Sequence, residues 1–181
     1  MRRVPLLAFA LPLAAGLAAI AVQPAVAAVP SAGTDLFGGY SFTHAGEANL
    51  HGWGLSASHP FRGSLRLLAD VSGHYGSFAG ADLSQLGVLA GARYGWGEGR
   101  LRPFADALLG GVRTSVKVGA GETSVSDADT DWGVAFGGGV DYGLSHCWVL
   151  RGLFHLRLLK GEGSWDTDPR ISIGVAYRPR R

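Results

Sequence analysis

From residue 35 onward, apolar and polar residues alternate in blocks that are separated by Gly, Pro, Ser and Asp. A period of two is the mark of strands with one apolar and one polar face. The blocks predict strands over 36–43, 50–59, 64–76, 84–96, 102–114, 131–142, 147–158 and 170–178. Most are long enough to cross a bilayer at a tilt, which takes about nine to eleven residues. No stretch in this part of the chain holds the i, i+3, i+4 spacing of an amphipathic helix, and none has 18 consecutive apolar residues. A helical membrane protein is thereby excluded. The connections at 60–63, 97–100 and 143–146 are short, whereas those at 44–49, 77–83, 115–130 and 160–168 are mostly longer. An even strand number with short turns at one end and long loops at the other predicts an all-β, eight-stranded antiparallel up-and-down transmembrane β-barrel, with both termini on the short-turn, periplasmic side.

The two faces of each strand decide between a soluble and a membrane barrel, because the membrane form turns its apolar face outward. The third strand sets Leu65, Leu67, Ala69, Val71 and Tyr75 against Arg66, Leu68, Asp70, Ser72 and His74. The sixth sets Trp132, Val134, Phe136, Val140 and Tyr142 against a face rich in glycine that ends on Asp141. The seventh sets Trp148, Leu150, Phe154 and Leu156 against Arg151, His155 and Arg157, and the eighth sets Ile171, Ile173, Val175 and Tyr177 against Arg170, Ser172, Gly174 and Arg178. A half-buried soluble sheet would show similar alternation, but its outer face would here be glycine and alanine with few solubilising groups. Small residues suit the inside of a narrow barrel. Aromatics cluster at the strand ends: Phe42, Trp53, Tyr75 and Trp132 toward the long loops, and Tyr94, Trp96, Tyr142, Trp148 and Tyr177 toward the short turns. These nine are the expected girdles at the two lipid–water interfaces.

The N-terminus adds an export reading. Arg2 and Arg3 precede an uncharged run from Val4 to Val22, broken by Pro5 and Pro12 and followed by Ala25-Val26-Ala27. That layout predicts a cleaved signal peptide over residues 1–27, leaving residues 28–181 as one barrel domain. Removing Arg2 and Arg3 lowers the basic count from 16 to 14, equal to the 14 acidic residues, so the mature chain has no net charge. Such a balance gives no reason to expect nucleic acid as a partner. Cys147 is the one cysteine, which excludes an intrachain disulfide framework, and it reads most simply as a turn residue.

On these residues the chain resembles the small outer-membrane β-barrel family that includes the OmpA-like transmembrane domain and the opacity-type surface proteins. The resemblance runs over the mature chain and is carried by Asp35-Leu36-Phe37-Gly38-Gly39-Tyr40-Ser41-Phe42, by Arg102-Pro103-Phe104-Ala105-Asp106-Ala107-Leu108-Leu109-Gly110-Gly111, and by Arg170-Ile171-Ser172-Ile173-Gly174-Val175-Ala176-Tyr177-Arg178. It implies a place in the outer membrane of a Gram-negative cell, contact with membrane lipid, and delivery by the barrel-assembly machinery. Chains of this kind usually end on an aromatic residue, whereas Pro179-Arg180-Arg181 follow Tyr177 here.

Inside the barrel, residues facing each other across a hairpin share a constant index sum. Arg93 falls opposite Asp106, Asp141 opposite Arg151, and Arg66 near Arg93. Arg66, Arg93, Asp106, Asp141 and Arg151 are therefore expected as a belt near the periplasmic end, with Asp70, His155 and Arg157 above it. Charges in a narrow lumen should be paired, which predicts a structural ion-pair plug; its rival is the lining of a small porin-like pore. A lipid-modifying enzyme is the third reading, because His44, His51 and His74 lie toward the loops near Ser41, Asp70 and Ser72. Along the strand Asp70 and His74 are about 13 Å apart, too far for a hydrogen bond. No catalytic group, cofactor site or metal site is assigned. A surface-interaction role through the long loops stays open, with no extracellular ligand legible in them.

Overall fold

The computed structural model describes residues 33–45, 48–78, 81–118, 125–161 and 165–179. The expected leader lies outside them. Eight strands follow one another in order: β1 Asp35–Ala45, β2 Ala48–Arg62, β3 Leu65–Phe78, β4 Ala81–Gly95, β5 Leu101–Val118, β6 Val125–Gly143, β7 Trp148–Lys160 and β8 Trp165–Tyr177. Each pairs antiparallel with the next, and β1 pairs with β8, so the sheet closes on itself. Closure removes the exposed edges an open sheet would leave. No helix among the described residues is long and apolar enough to cross a membrane.

Burial is inverted relative to a water-soluble barrel. The described residues include 18 buried polar or charged side chains and 13 buried apolar ones, while Leu109, Phe136, Phe154, Ile171 and Ile173 stand exposed at mid-strand. An outward apolar surface of this extent is stable only against lipid. Where the inward face carries glycine, the next strand's backbone crosses closely. A β-carbon at Gly137 would come within 2.7 Å of His155 Cδ2, and would run into the Phe154 carbonyl as well.

The strands outrun the sequence expectation at the loop end. The segment 115–130, expected as a loop, is mostly β-ladder: β5 continues to Val118 and β6 begins at Val125. Pairing runs on through Arg113↔Thr130 and Ser115↔Ala128. Between β1 and β2, and between β3 and β4, only residues 46–47 and 79–80 intervene. Backbone hydrogen bonds propagate a ladder whatever the side chains are, whereas alternation is demanded only where one face meets lipid. The hydrophobic signal therefore stops before the strand does. The expected contrast between short turns and long loops is corrected accordingly: four residues, 144–147, separate β6 from β7 at the turn end, and four, 161–164, separate β7 from β8 at the loop end. On the turn side a bulge at Phe61 shifts the register between Pro60↔Arg66 and Arg62↔Leu65, next to a proline that has no N–H to give the ladder. The two-residue turn then relies on Gly63, whose φ of 58° a side chain would strain.

Candidate functional site: a charged lumen

The turn end of the lumen is closed by a cycle of charges. Arg151 donates to both oxygens of Asp141, at 2.7 and 3.0 Å, and to both of Asp35, at 3.1 and 2.9 Å. Arg178, just beyond β8, donates to the same two carboxylates at 2.6 and 2.9 Å. Arg66 reaches the Ser58 hydroxyl at 2.9 Å and the carbonyls of Ser58 and Gly33. One level deeper, Arg93 holds Asp106 in a bidentate pair at 2.7 and 2.8 Å, its guanidinium 4.0 Å from the centre of the Phe104 ring. Phe37, Phe104, Val149, Leu153 and Ala176 fill the space between these levels, and Leu68, Leu89, Leu108 and Ala135 form a second apolar cluster. Guanidinium planes stacked on aromatic rings let charge and apolar packing share a narrow tube.

The pairing continues toward the loops and crosses the barrel. His155 connects the levels: Arg170 has only donors, so His155 Nδ1 accepts from it at 2.9 Å, and Nε2–H donates to Asp106 at 2.9 Å. Arg170 also holds Asp70 at 2.7 and 3.0 Å and Ser72 at 2.9 Å. Arg93, Asp106, His155, Arg170 and Asp70 thus form one unbroken chain. Above it Arg157 donates to Thr43, Gln85 and Asp168 at 2.8, 2.7 and 3.4 Å. Charged groups in such a site are costly to bury singly and tolerable when paired; each of these arginines has a carboxylate, although Arg93 Nη1, Arg157 Nε and Nη1, and Arg170 Nε have no partner.

All five residues expected as the belt face inward near the turn end, and the registers Arg93↔Asp106, Asp141↔Arg151 and Arg66↔Arg93 match the index sums. Sequence reasoning did not assign Asp35 and Arg178 to that belt, nor the partnership of Arg170 with Asp70. Their inward parity was legible from alternation. Their heights were not, because they depend on the β1–β8 seam, which no hairpin spans. Of the expected girdles, Trp53, Tyr75 and Trp132 are exposed toward the loops, and Tyr94, Trp96, Tyr142, Trp148 and Tyr177 toward the turns. Phe42 is half-buried with its ring 5.2 Å from His51. Tyr40, Phe61 and Trp165 are exposed aromatics that the sequence reading left out of the girdles.

The histidines His44, His51 and His74 sit in separate contacts. His74 Nε2 lies 2.9 Å from Ser41 Oγ, a contact that strand spacing alone did not reveal, and Ser41 Oγ lies 2.8 Å from Ser172 Oγ. His74 Nδ1 has no partner, so no acid orients the ring, and the pair is fully buried. His51 bonds the Tyr40 hydroxyl, and His44 lies 2.8 Å from Asn49. Among the described residues no three His, Cys, Asp or Glu could hold a metal together. Cys147 sits half-buried in the β6–β7 turn, where its carbonyl accepts from the Arg178 amide at 2.8 Å.

A closed eight-stranded barrel with lipid-compatible walls and a charged interior is a membrane-spanning β-barrel by construction. The family description "outer membrane protein beta-barrel domain" matches residues 12–178. This chain belongs to that family. Solved structures similar to it include Neisserial surface protein A, at 18% identity over 81% of this chain and 96% of that one, TM-score 0.64. Others are the attachment invasion locus protein Ail of Yersinia pestis, at 17% over 80% and 97%, TM-score 0.59, and OprG of Pseudomonas aeruginosa, at 16% over 83% and 97%, TM-score 0.55. At these identities the likeness establishes the fold. No curated protein matches this chain in sequence.

Proposed function

We propose that this protein is a non-catalytic outer-membrane barrel with a structural or surface-interaction role, its lumen plugged by ion pairs. The observation that carries this reading is the succession of three buried sets of Arg, Asp and His contacts between Asp35 and Asp168, with bonds between strands that are not neighbours, as in Arg170 to Asp70. Eight strands enclose an interior that side chains can fill, which argues against a conducting path. In planar bilayers the pure folded protein is expected to show no steady conductance. A sizeable stable conductance would replace the plug with the pore reading.

Within this proposal residues 1–27 are removed on export, the nine girdle aromatics sit at the two lipid interfaces, and both termini face the periplasm. The assembly machinery would read Tyr177 despite the residues beyond it. N-terminal sequencing of the mature protein should begin at Ala28.

A further inference from the structure

The cycle of Asp35, Arg151, Asp141 and Arg178 uses all four carboxylate oxygens and is electrically balanced. A further guanidinium faces it. Arg102 is on the inward face of β5, in register with Asp141, and lies in the field of Asp141, Asp35, Arg178 and Arg151. Its Nε is buried and without a partner. Arg66 adds a fourth guanidinium to the same mouth, so four arginines there face two carboxylates, with Glu98 the other acid at this end, exposed in the β4–β5 turn. Arg66 and Arg102, and Arg178 at the edge of the cycle, are each half-buried, so none is shut off from the solvent at the turn end. Planar donors around an electropositive mouth match the tetrahedral oxygens of a phosphate better than a spherical halide.

We propose that the turn-side mouth of the lumen is a binding site for a soluble phosphate-class oxyanion, held by Arg102 against the Arg178 edge of the saturated carboxylate cycle. The same chemistry exists on a lipid headgroup, but these guanidiniums are on the inward faces of their strands, away from the lipid side. The test uses the full mature chain folded in phosphate-free maltoside micelles. The midpoint of its heat-induced unfolding is followed against sodium phosphate and against sodium chloride at matched ionic strength. A saturable upward shift with phosphate only is expected, lost in R102Q and retained in R113Q, whose side chain is at the opposite end. Equal shifts with both salts, or an undiminished phosphate shift in R102Q, would overturn the site. Should R102Q not fold, R102K makes the comparison, with several-fold weaker phosphate binding expected and unchanged binding overturning it. A parallel series in phosphatidylcholine nanodiscs with and without phosphatidic acid separates the sources: a shift from lipid phosphate alone would overturn the soluble-anion assignment.

Discussion

Asp106 links two levels of the lumen, with Arg93 on one side and His155 on the other. D106N keeps the shape and removes the charge, leaving Arg93 buried against Phe104. Breaking a buried pair from one side costs about 3–5 kcal/mol. Urea unfolding of the barrel in vesicles should register that loss; a change within error would mean that water already screens the pair. Arg170 and Asp70 allow a stricter check, because β8 and β3 are not neighbours and only a bond through the lumen couples them. A double-mutant cycle, R170M with D70A, should give a coupling of about 0.5–3 kcal/mol, and zero coupling would contradict the cross-barrel contact. Arg93 opposite Asp106 was legible from index sums across one hairpin. Arg170 opposite Asp70 was not, since sequence carries no index sum across a lumen.

The strands divide into a lipid-facing part and an overhang, governed by different rules. Phe136 on β6 is 53% exposed and lies between Trp132 of the loop-side girdle and Tyr142 of the turn-side girdle, near the middle of the apolar band. F136R should cost about 2–4 kcal/mol, the penalty for arginine at midplane depth, measured by the same unfolding titration. Beyond Gly111 the β5–β6 ladder continues through polar residues up to Val118↔Val125. Replacing 119–124 with Asn-Gly, a pair suited to a two-residue hairpin turn, should leave the heat-modifiable folded band intact, since the register below is already set by many pairs. Loss of that band would show that the segment contributes to folding. The overhang was hidden from sequence because stretches such as Arg113-Thr114-Ser115 and Asp129-Thr130-Asp131 do not alternate apolar with polar residues, and a backbone ladder forms without that alternation.

For the molecule as a whole, orientation is the consequence most directly tested. With Cys147 changed to serine, a cysteine placed at the exposed Asp129 should react with a membrane-impermeant maleimide in intact cells. One placed at Glu98 in the β4–β5 turn should react only after the outer membrane is permeabilised. The opposite pattern would invert the barrel. Outer-membrane fractionation together with heat-modifiable migration tests the insertion itself.

By itself the sequence determined the strand number, the antiparallel order and which face of each strand meets lipid. Those properties follow from local alternation and chain connectivity. It also determined contacts across single hairpins, where Arg93 meets Asp106 and Asp141 meets Arg151. Only the closed tertiary structure decided that Asp35 and Arg178 complete the cycle at the turn end, that His155 joins Asp106 to Arg170, and that Ser41 meets His74. The first depends on the β1–β8 seam, which closure and shear of the whole sheet set. The other two reach over a glycine of the strand between, Gly137 for Asp106 and His155 and Gly52 for Ser41 and His74, so they need three strands in place at once and no single hairpin encodes them.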